Sequence, residues 1–190
     1  MHLRPPILAL TAGLALLGAA SFAVAQIERL DLSKMVERAD HAVFGTIVDH
    51  QVIVIDHEID GPELYYTHLT LEGFDLATNE ERTVVVSYAG GFIDAQNGVY
   101  NSEAPPADAV RLGSRAVVFY AYTENMGGDL AANAIYASHG GLYQTVTGRG
   151  GDVVVLGQGD GYAISQNIAL HELQERVAVL TEATDKLHGK

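Results

Sequence analysis

The sequence predicts a mainly β protein, built as a small antiparallel barrel or curled sheet with a short helix before it and an amphipathic helix after it. Three observations lead to this fold class. Runs of β-branched and aromatic residues follow one another through the middle of the chain, and such residues favour strands. Clusters of Gly, Asp, Asn and Pro separate the runs, as turns require. Apolar residues at helical spacing lie near both ends of this region.

Six segments carry the strand pattern, and most of the turns between them are short. They span residues 43–55, 64–74, 83–88, 116–122, 135–146 and 153–156. The first two form a hairpin around Asp60-Gly61-Pro62, which is typical of a tight turn. Consecutive strands joined in this way pair antiparallel. We therefore expect six or seven strands to curl into one sheet or barrel.

Two helices flank the strands. The first ends near Arg38 and takes Asp31 or Ser33 as its N-cap. The second spans about residues 168–187 and is amphipathic, so its apolar stripe packs most simply on the sheet. A partner helix or a dimer seam is the alternative for that stripe. The apolar positions of the two helices are Leu32, Met35, Val36 and Ala39, and Leu170, Leu173, Val177, Leu180 and Leu187.

The N-terminus has the pattern of a cleavable signal peptide over residues 1–25. Arg4 precedes the apolar run of residues 7–20, and the segment ends in Ala23-Val24-Ala25, which is an A-x-A cleavage site. A transmembrane anchor is the alternative, but the run is shorter than the roughly 20 apolar residues that span a bilayer. We expect a secreted or periplasmic protein, with residues 26–190 as a single β-rich domain.

The charge of the chain disfavours two classes of partner. The full sequence has 24 acidic and 11 basic residues, a formal net charge of −13. Residues 1–25 contain Arg4 and no acid, so residues 26–190 carry 10 minus 24, or −14. Such a surface repels phosphate backbones and anionic lipids. We therefore expect neither nucleic-acid binding nor membrane binding after signal cleavage, and the sequence leaves the oligomeric state open.

Several kinds of site are also excluded by the sequence. The chain has no cysteine, which removes disulfides, cysteine zinc ligands and a thiol nucleophile. His171-Glu172 begins a zinc-protease motif, but Glu175 stands where the second histidine is needed. Ser114 lies between Gly113 and Arg115 and lacks the glycines of a nucleophile elbow. The glycines of residues 148–161 fit hairpin turns better than calcium or phosphate loops. We predict no catalytic and no cofactor-binding residue.

One segment between the strands is long enough to be a binding element. Residues 92–112 carry no clear strand or helix pattern and contain Asn97-Gly98 and Pro105-Pro106. Long loops inside compact domains are often functional. A surface excursion without function is the alternative for this segment.

Four segments resemble a loose group of small exported bacterial domains. They are ADHAVFGTIV (residues 39–48), YTHLTL (residues 66–71), VVVSYAGG (residues 84–91) and LGSRAVVF (residues 112–119). The same progression is distantly similar to the OB-type barrel of netrin-like domains and tissue inhibitors of metalloproteinases. The resemblance covers roughly residues 30–122 and implies an OB-like barrel.

The chain departs from those families where function is concerned. The metalloproteinase inhibitors bind the protease zinc through an N-terminal cysteine, whereas this chain has no cysteine and its mature form would start at Gln26. The Lys-Gly that the bacterial group places between the second and third strands is replaced by Ala77-Thr78-Asn79. No functional residue carries over, and the resemblance informs only the fold.

The candidate metal ligands are Asp56, Glu58, His68 and His139. By period-2 alternation Asp56 and Glu58 share a face of the first strand, and pairing apolar with apolar residues places His68 on that face. We expect His68 opposite or diagonal to Asp56, where the carboxylate would raise the pKa of the imidazole. An exposed salt bridge worth at most about 1 kcal/mol is the alternative. For His139, within Ser138-His139-Gly140-Gly141, a β-bulge with a surface histidine is the simpler interpretation.

These observations favour a secreted, non-enzymatic β-barrel module that binds a protein or a surface ligand. The first alternative is an extracellular metal-binding protein or metal-dependent hydrolase that uses His50, His57, His68 and His139, since imidazoles and carboxylates suit divalent transition metals. The second alternative is an inhibitor of a secreted protease, which follows only from the distant barrel resemblance.

Overall fold

A computed structural model describes residues 30–189 of the chain. Within this range the protein is mainly β, with ten strands, two α-helices and one 3-10 helix. The predicted signal peptide, residues 1–25, lies outside the described residues. The strands are β1 (His41–His57), β2 (Gly61–Asp75), β3 (Glu81–Ala89), β4 (Gly91–Phe92), β5 (Gly98–Val99), β6 (Arg115–Thr123), β7 (Ala132–Ile135), β8 (Leu142–Thr147), β9 (Val153–Val155) and β10 (Ile168–Ala169).

Five of the strands close into a small barrel. Each of the neighbours β1–β2, β2–β3, β6–β7 and β1–β6 is antiparallel, and one parallel pairing, Ser87 with Ala134, joins β3 to β7. Closure removes most of the free strand edges that an open sheet would present. The predicted small barrel is therefore confirmed. Strand β8 pairs with β6 outside the barrel, and β9 and β10 continue that sheet.

The two α-helices confirm both predicted helical segments. Helix α1 (Leu32–Arg38) begins at Asp31, whose side chain accepts a 2.9 Å hydrogen bond from the Lys34 amide. Helix α2 (Leu170–His188) starts two residues later than predicted, because residues 168–169 pair with β9 as a strand. Its stripe packs inward along most of its length, but Leu187 at the end of the stripe is 84% exposed.

Apolar side chains form two cores, one on each side of the barrel wall. Successive residues of β1 alternate between them, so that Val43 packs inside the barrel and Phe44 packs outside it. Other residues of the inner core are Ile47, Leu69, Leu71, Val86 and Val118. The outer core lies between the barrel and the helices and includes Met35, Phe119, Tyr143, Leu173 and Val177. Because helices cover the outside of this wall, the first half of β1 is buried on both faces.

The predicted continuous strand over residues 135–146 is wrong. Strand β7 ends at Ile135, and a 3-10 helix, Ser138–Gly141, separates it from β8. Ala137 and Ser138 both have φ near +55°, and two successive residues in this left-handed conformation lie outside the extended region that strands adopt. The backbone therefore turns at this point. The β-bulge proposed around His139 is replaced by this 3-10 turn.

The long connection between β3 and β6, residues 90–114, is called the capping loop below. It contains the short hairpin of β4 and β5 and then covers one end of the barrel. Ala109 and Val110 are only 1% and 5% exposed and belong to the inner core. Part of the segment is therefore packed into the fold, and the alternative of a plain surface excursion over residues 92–112 does not describe it.

Candidate functional site

The first candidate site is a groove between the capping loop and the face of the barrel. It encloses about 910 Å³ and is called the capping-loop groove. Its floor comes from β1, β2 and β3, and its walls come from the loop itself and from His139 of the 3-10 helix. Apolar residues predominate, which is the usual character of a ligand site. The groove is lined by His50, Thr67, Tyr88, Gly91, Phe92, Val99, Tyr100, Asn101, Ser102, Ala104, Pro105, Pro106, Ala107, Val110, Arg111, Leu112 and His139.

Side-chain caps hold the first half of the capping loop in one conformation. The Asp94 carboxylate accepts bonds from the amides of Gln96 and Asn97 at 2.8 and 2.9 Å and from the Asn97 side chain at 2.7 Å. These bonds lower the pKa of Asp94, with the Asn97 side chain as the largest cause. Further along, the Asn101 side chain donates to the Ala89 carbonyl and accepts from the Glu103 amide. These hydrogen bonds hold this wall of the groove in a defined conformation.

Gly91 brings the loop into close contact with the barrel. Its φ of +132° favours glycine, and a Cβ at this position would overlap the Thr67 hydroxyl and lie 3.1 Å from Val52. Thr67 is fully buried, and its hydroxyl donates a 2.7 Å bond to the Gly90 carbonyl. Burial raises the pKa of the neighbouring Tyr88, and its bond with Thr67 acts in the opposite direction. Thr67 and Tyr88 therefore give this part of the groove floor uncharged side chains that are hydrogen-bonded.

The rim of the groove is unusually apolar for an exposed loop. Phe92 is 53% exposed, Tyr100 80% and Leu112 63%. Ile93 and Val99, also on this loop, are about half exposed. Exposed apolar residues are ordinary when they stand singly, whereas several around one concave surface mark a place of interaction. The rim therefore offers anchors for an apolar group of a ligand or a partner.

His139 provides a polar group at the wall of the groove. Its Nε2 lies 2.9 Å from the Tyr162 hydroxyl, and its amide donates to the Glu103 carbonyl at 3.0 Å. Its Nδ1 is buried without a hydrogen bond and lies 3.7 Å from the Glu103 carboxylate. The two residues before it, Ala137 and Ser138, have left-handed backbone conformations, and the turn that they form places the ring between Tyr162 and Glu103. Strained backbone of this kind is often found at functional sites.

The predicted cluster of His68 with Asp56 and Glu58 is wrong. His68 pairs with Gln51, five residues along β1 from Asp56, which corresponds to about 17 Å. The ring instead bonds the Ser87 hydroxyl at 2.6 Å, and burial lowers its pKa, opposite to the expected direction. The difference arises at the hairpin end of the two strands. A register shift between Ile55 and His57, together with the three-residue turn after His57, sets which β1 residue lies opposite His68, and apolar pairing alone does not predict either feature.

The other candidate metal ligands are also dispersed. Asp56 accepts a bond from the Glu63 amide near the hairpin tip, and Glu58 lies exposed in the turn. His57 bonds the Asp129 carboxylate and the Asp60 amide. His50 and His139 both line the capping-loop groove. Across residues 30–189, no group of three or more histidines and acids is arranged to hold a metal ion.

A second cavity, of about 820 Å³, lies between the barrel and the two helices, and sequence analysis missed its central residue. Asp75 is 1% exposed, and its Oδ1 accepts bonds from the amides of Ala77 and Thr78. Its Oδ2 lies 2.9 Å from His41 and 3.6 Å from Arg82. Asp75 stands at the end of an apolar strand and directly before a turn, and this position in the sequence could have indicated that its side chain caps the turn. Since its oxygens are already bonded, Asp75 fits a structural role.

The α-helices within residues 30–189 are too short or too polar to cross a membrane.

Comparisons with known proteins give no relative for this chain. No protein-family model, curated protein or solved structure matches it.

Proposed function

We propose that this protein is an exported, non-enzymatic binding module, and that the capping-loop groove receives an apolar segment of a partner protein. The observation that carries the proposal is the rim of the groove. Phe92, Tyr100 and Leu112 stand exposed around a concave surface whose loop is already fixed by hydrogen bonds. A fixed loop has little conformational entropy left to lose on binding, so more of the contact energy contributes to affinity.

The charge of the protein indicates the rest of the partner. Residues 26–190 carry a formal charge of −14, and the capping loop has Asp94, Glu103 and Asp108 against Arg111 alone. Basic residues beside the apolar anchor would therefore be attracted during encounter and would speed association. The preferred partner is a segment with one or two large apolar side chains flanked by lysine or arginine.

We also propose that the chain is related to OB-type barrels. The closed five-strand barrel supports this relationship. In OB-type barrels the loop after the first strand and the loop between the fourth and fifth strands flank the ligand. Here those two loops bond to each other, since His57 contacts Asp129 and the Gly128 amide donates to Asp60 at 2.7 Å. The capping loop, at residues 90–114, is then the more open side of the barrel.

The proposal is tested with peptides, because a library covers partner sequences without knowledge of the natural one. A random peptide library is selected on the wild-type protein, and affinities of the enriched peptides are measured for Tyr100→Ala and for Tyr122→Ala. Tyr122 is a matched control because it is 59% exposed on β6 and lies outside the groove. Loss of a buried aromatic contact worth about 1.5 kcal/mol or more weakens binding at least about tenfold.

The expected result is enrichment of apolar peptides with basic flanks that bind Tyr100→Ala at least tenfold more weakly and bind Tyr122→Ala normally. Failure to enrich any peptide, or equal losses in both variants, would contradict the proposal. Turnover of a substrate that disappears on mutation of His50 or His139, both of which line the groove, would contradict the non-enzymatic part.

A further inference from the structure

Half of strand β1 has a free edge. Strand β6 pairs with β1 only as far as Thr46, and the last bonds on that side join Ile47 to Ser114 and Gly113. From Val48 to His57, β1 pairs with β2 alone. Within residues 30–189, no backbone hydrogen bond joins the other edge of this segment to any loop or strand. This part of β1 is called the free edge below.

The register shows which backbone groups point outward from the free edge. The Gly90 amide donates to the Tyr65 carbonyl, so odd residues of β2 bond toward β3 and even residues bond toward β1. The even residues of β2 pair with odd residues of β1, as Tyr66 does with Ile53. The even residues of the free edge therefore direct their amides and carbonyls away from β2. These residues are His50, Val52, Val54 and Asp56.

The centre of the free edge, residues 52–55, has none of the features that usually block strand pairing. Natural edge strands are blunted by charged side chains, proline or β-bulges. The segment VDHQVIVIDH contains neither lysine nor proline, and its centre is four β-branched residues, 52–55. Val54 is 45% exposed. Such an edge is a template for another strand, because main-chain bonds supply affinity and alternate side chains supply specificity.

The sequence of the free edge is complementary to itself in one antiparallel register. In an antiparallel pair, the residues that exchange backbone hydrogen bonds lie directly opposite each other. In the free edge these are the even-numbered residues, so an even residue of one copy must lie opposite an even residue of the other. The numbers of two opposite residues therefore add to an even sum. Centring the axis on Ile53 places His50 opposite Asp56, Val52 opposite Val54 and Ile53 opposite itself. Centring it on Val52 or on Val54 instead places a valine opposite Asp56. Only the register centred on Ile53, among these three, pairs the imidazole of His50 with the carboxylate of Asp56 and apolar residues with apolar residues.

We propose that two copies of this chain form a twofold symmetric dimer through the free edge, with Ile53 on the axis. The four pairs made by even residues supply about eight backbone hydrogen bonds, two for each pair. His50 meets the partner's Asp56, and symmetry repeats this contact. The side chains are available for it: His50 and Asp56 are exposed, and one oxygen of Asp56 is already bonded to Glu63. This proposal does not depend on a ligand in the capping-loop groove.

A disulfide on the axis is the direct test, since the chain has no cysteine of its own. Ile53 would form a non-hydrogen-bonded pair with its own copy, with Cα atoms about 4.5 Å apart, within the range that a disulfide spans. Full-length Ile53→Cys, purified from an exporting host, should cross-link almost completely under mild oxidation. Val54→Cys, diagonal to its copy across the axis, should cross-link more slowly. Val85→Cys, on β3 and 47% exposed, should stay monomeric.

Sedimentation velocity over a range of concentrations is the second measurement. The wild type should double its mass as concentration rises, and Val54→Lys should weaken the dimer at least tenfold, while Val85→Lys should not. Circular dichroism checks that each variant keeps the wild-type fold. A wild type that stays monomeric at every concentration would overturn the proposal. So would a wild-type dimer with equal cross-linking of Ile53→Cys and Val85→Cys, because that dimer would use another surface.

Discussion

Replacing Asp75 with alanine removes the bonds that tie the end of β2 to three other parts of the fold. The carboxylate accepts bonds from the Ala77 and Thr78 amides and from His41, and it pairs with Arg82. Three bonds to a charged group, at about 1.5 kcal/mol each, sum to about 4.5 kcal/mol. Thr78 and His41 are partly exposed and regain bonds to water, which returns about 1.5 kcal/mol. The expected loss of unfolding free energy is about 3 kcal/mol.

Urea unfolding followed by circular dichroism measures this loss as a shift in the midpoint at constant slope. Asp75→Asn is the matched variant, because the remaining carbonyl oxygen keeps both amide bonds, and it should lose only about 1 kcal/mol. Asp56→Ala, at an exposed position with a single amide bond to Glu63, should lose less than about 1 kcal/mol. An Asp75→Ala midpoint equal to that of the wild type would refute the structural role of this carboxylate.

Two further predictions concern the capping loop and His68. Gly91→Ala should cost about 3 kcal/mol, because left-handed strain and overlap with the Thr67 hydroxyl add together. Gly61→Ala, with φ of +108° and open space around it, should cost only about 1 kcal/mol in the same urea titration; equal costs would contradict the close contact. Burial lowers the pKa of His68, so the unfolded chain takes up a proton at higher pH than the folded protein. The stabilising contribution of neutral His68 to the unfolding free energy is fully present above about pH 6.5 and is lost as the pH falls through the lowered pKa of the folded protein. Unfolding free energy should therefore fall more steeply toward pH 5 in the wild type than in His68→Gln; parallel profiles would contradict this assignment.

Much of the fold was predictable because local chemistry and tertiary structure agree. Asp31 caps α1 as its residue type predicts. The β-branched runs become strands, and short turns join β1 to β2 and β2 to β3 as antiparallel neighbours. The amphipathic stripe of α2 buries Leu173 and Val177 against the barrel. Each of these features depends on residues within one or two turns or strands of each other, where sequence patterns are informative.

The arrangement of side chains was not predictable in the same way. A register shift between Ile55 and His57, next to the hairpin turn, places His68 opposite Gln51 and away from Asp56 and Glu58. Two left-handed residues, Ala137 and Ser138, end a strand without any glycine or proline at those positions. The groove forms because Ala109 and Val110 enter the core from a loop with no strand or helix pattern. All three depend on contacts between distant segments, which no local pattern records.

The burial of Ala109 and Val110 links the width of the capping-loop groove to the integrity of the fold. These residues fill the inside of the barrel while the same loop forms the wall of the groove. Widening the groove would move Ala109 and Val110 out of the inner core and expose apolar surface to water, at a cost of about 25 cal/mol for each Å² exposed. The apolar packing that fills the barrel therefore also sets the width of the groove.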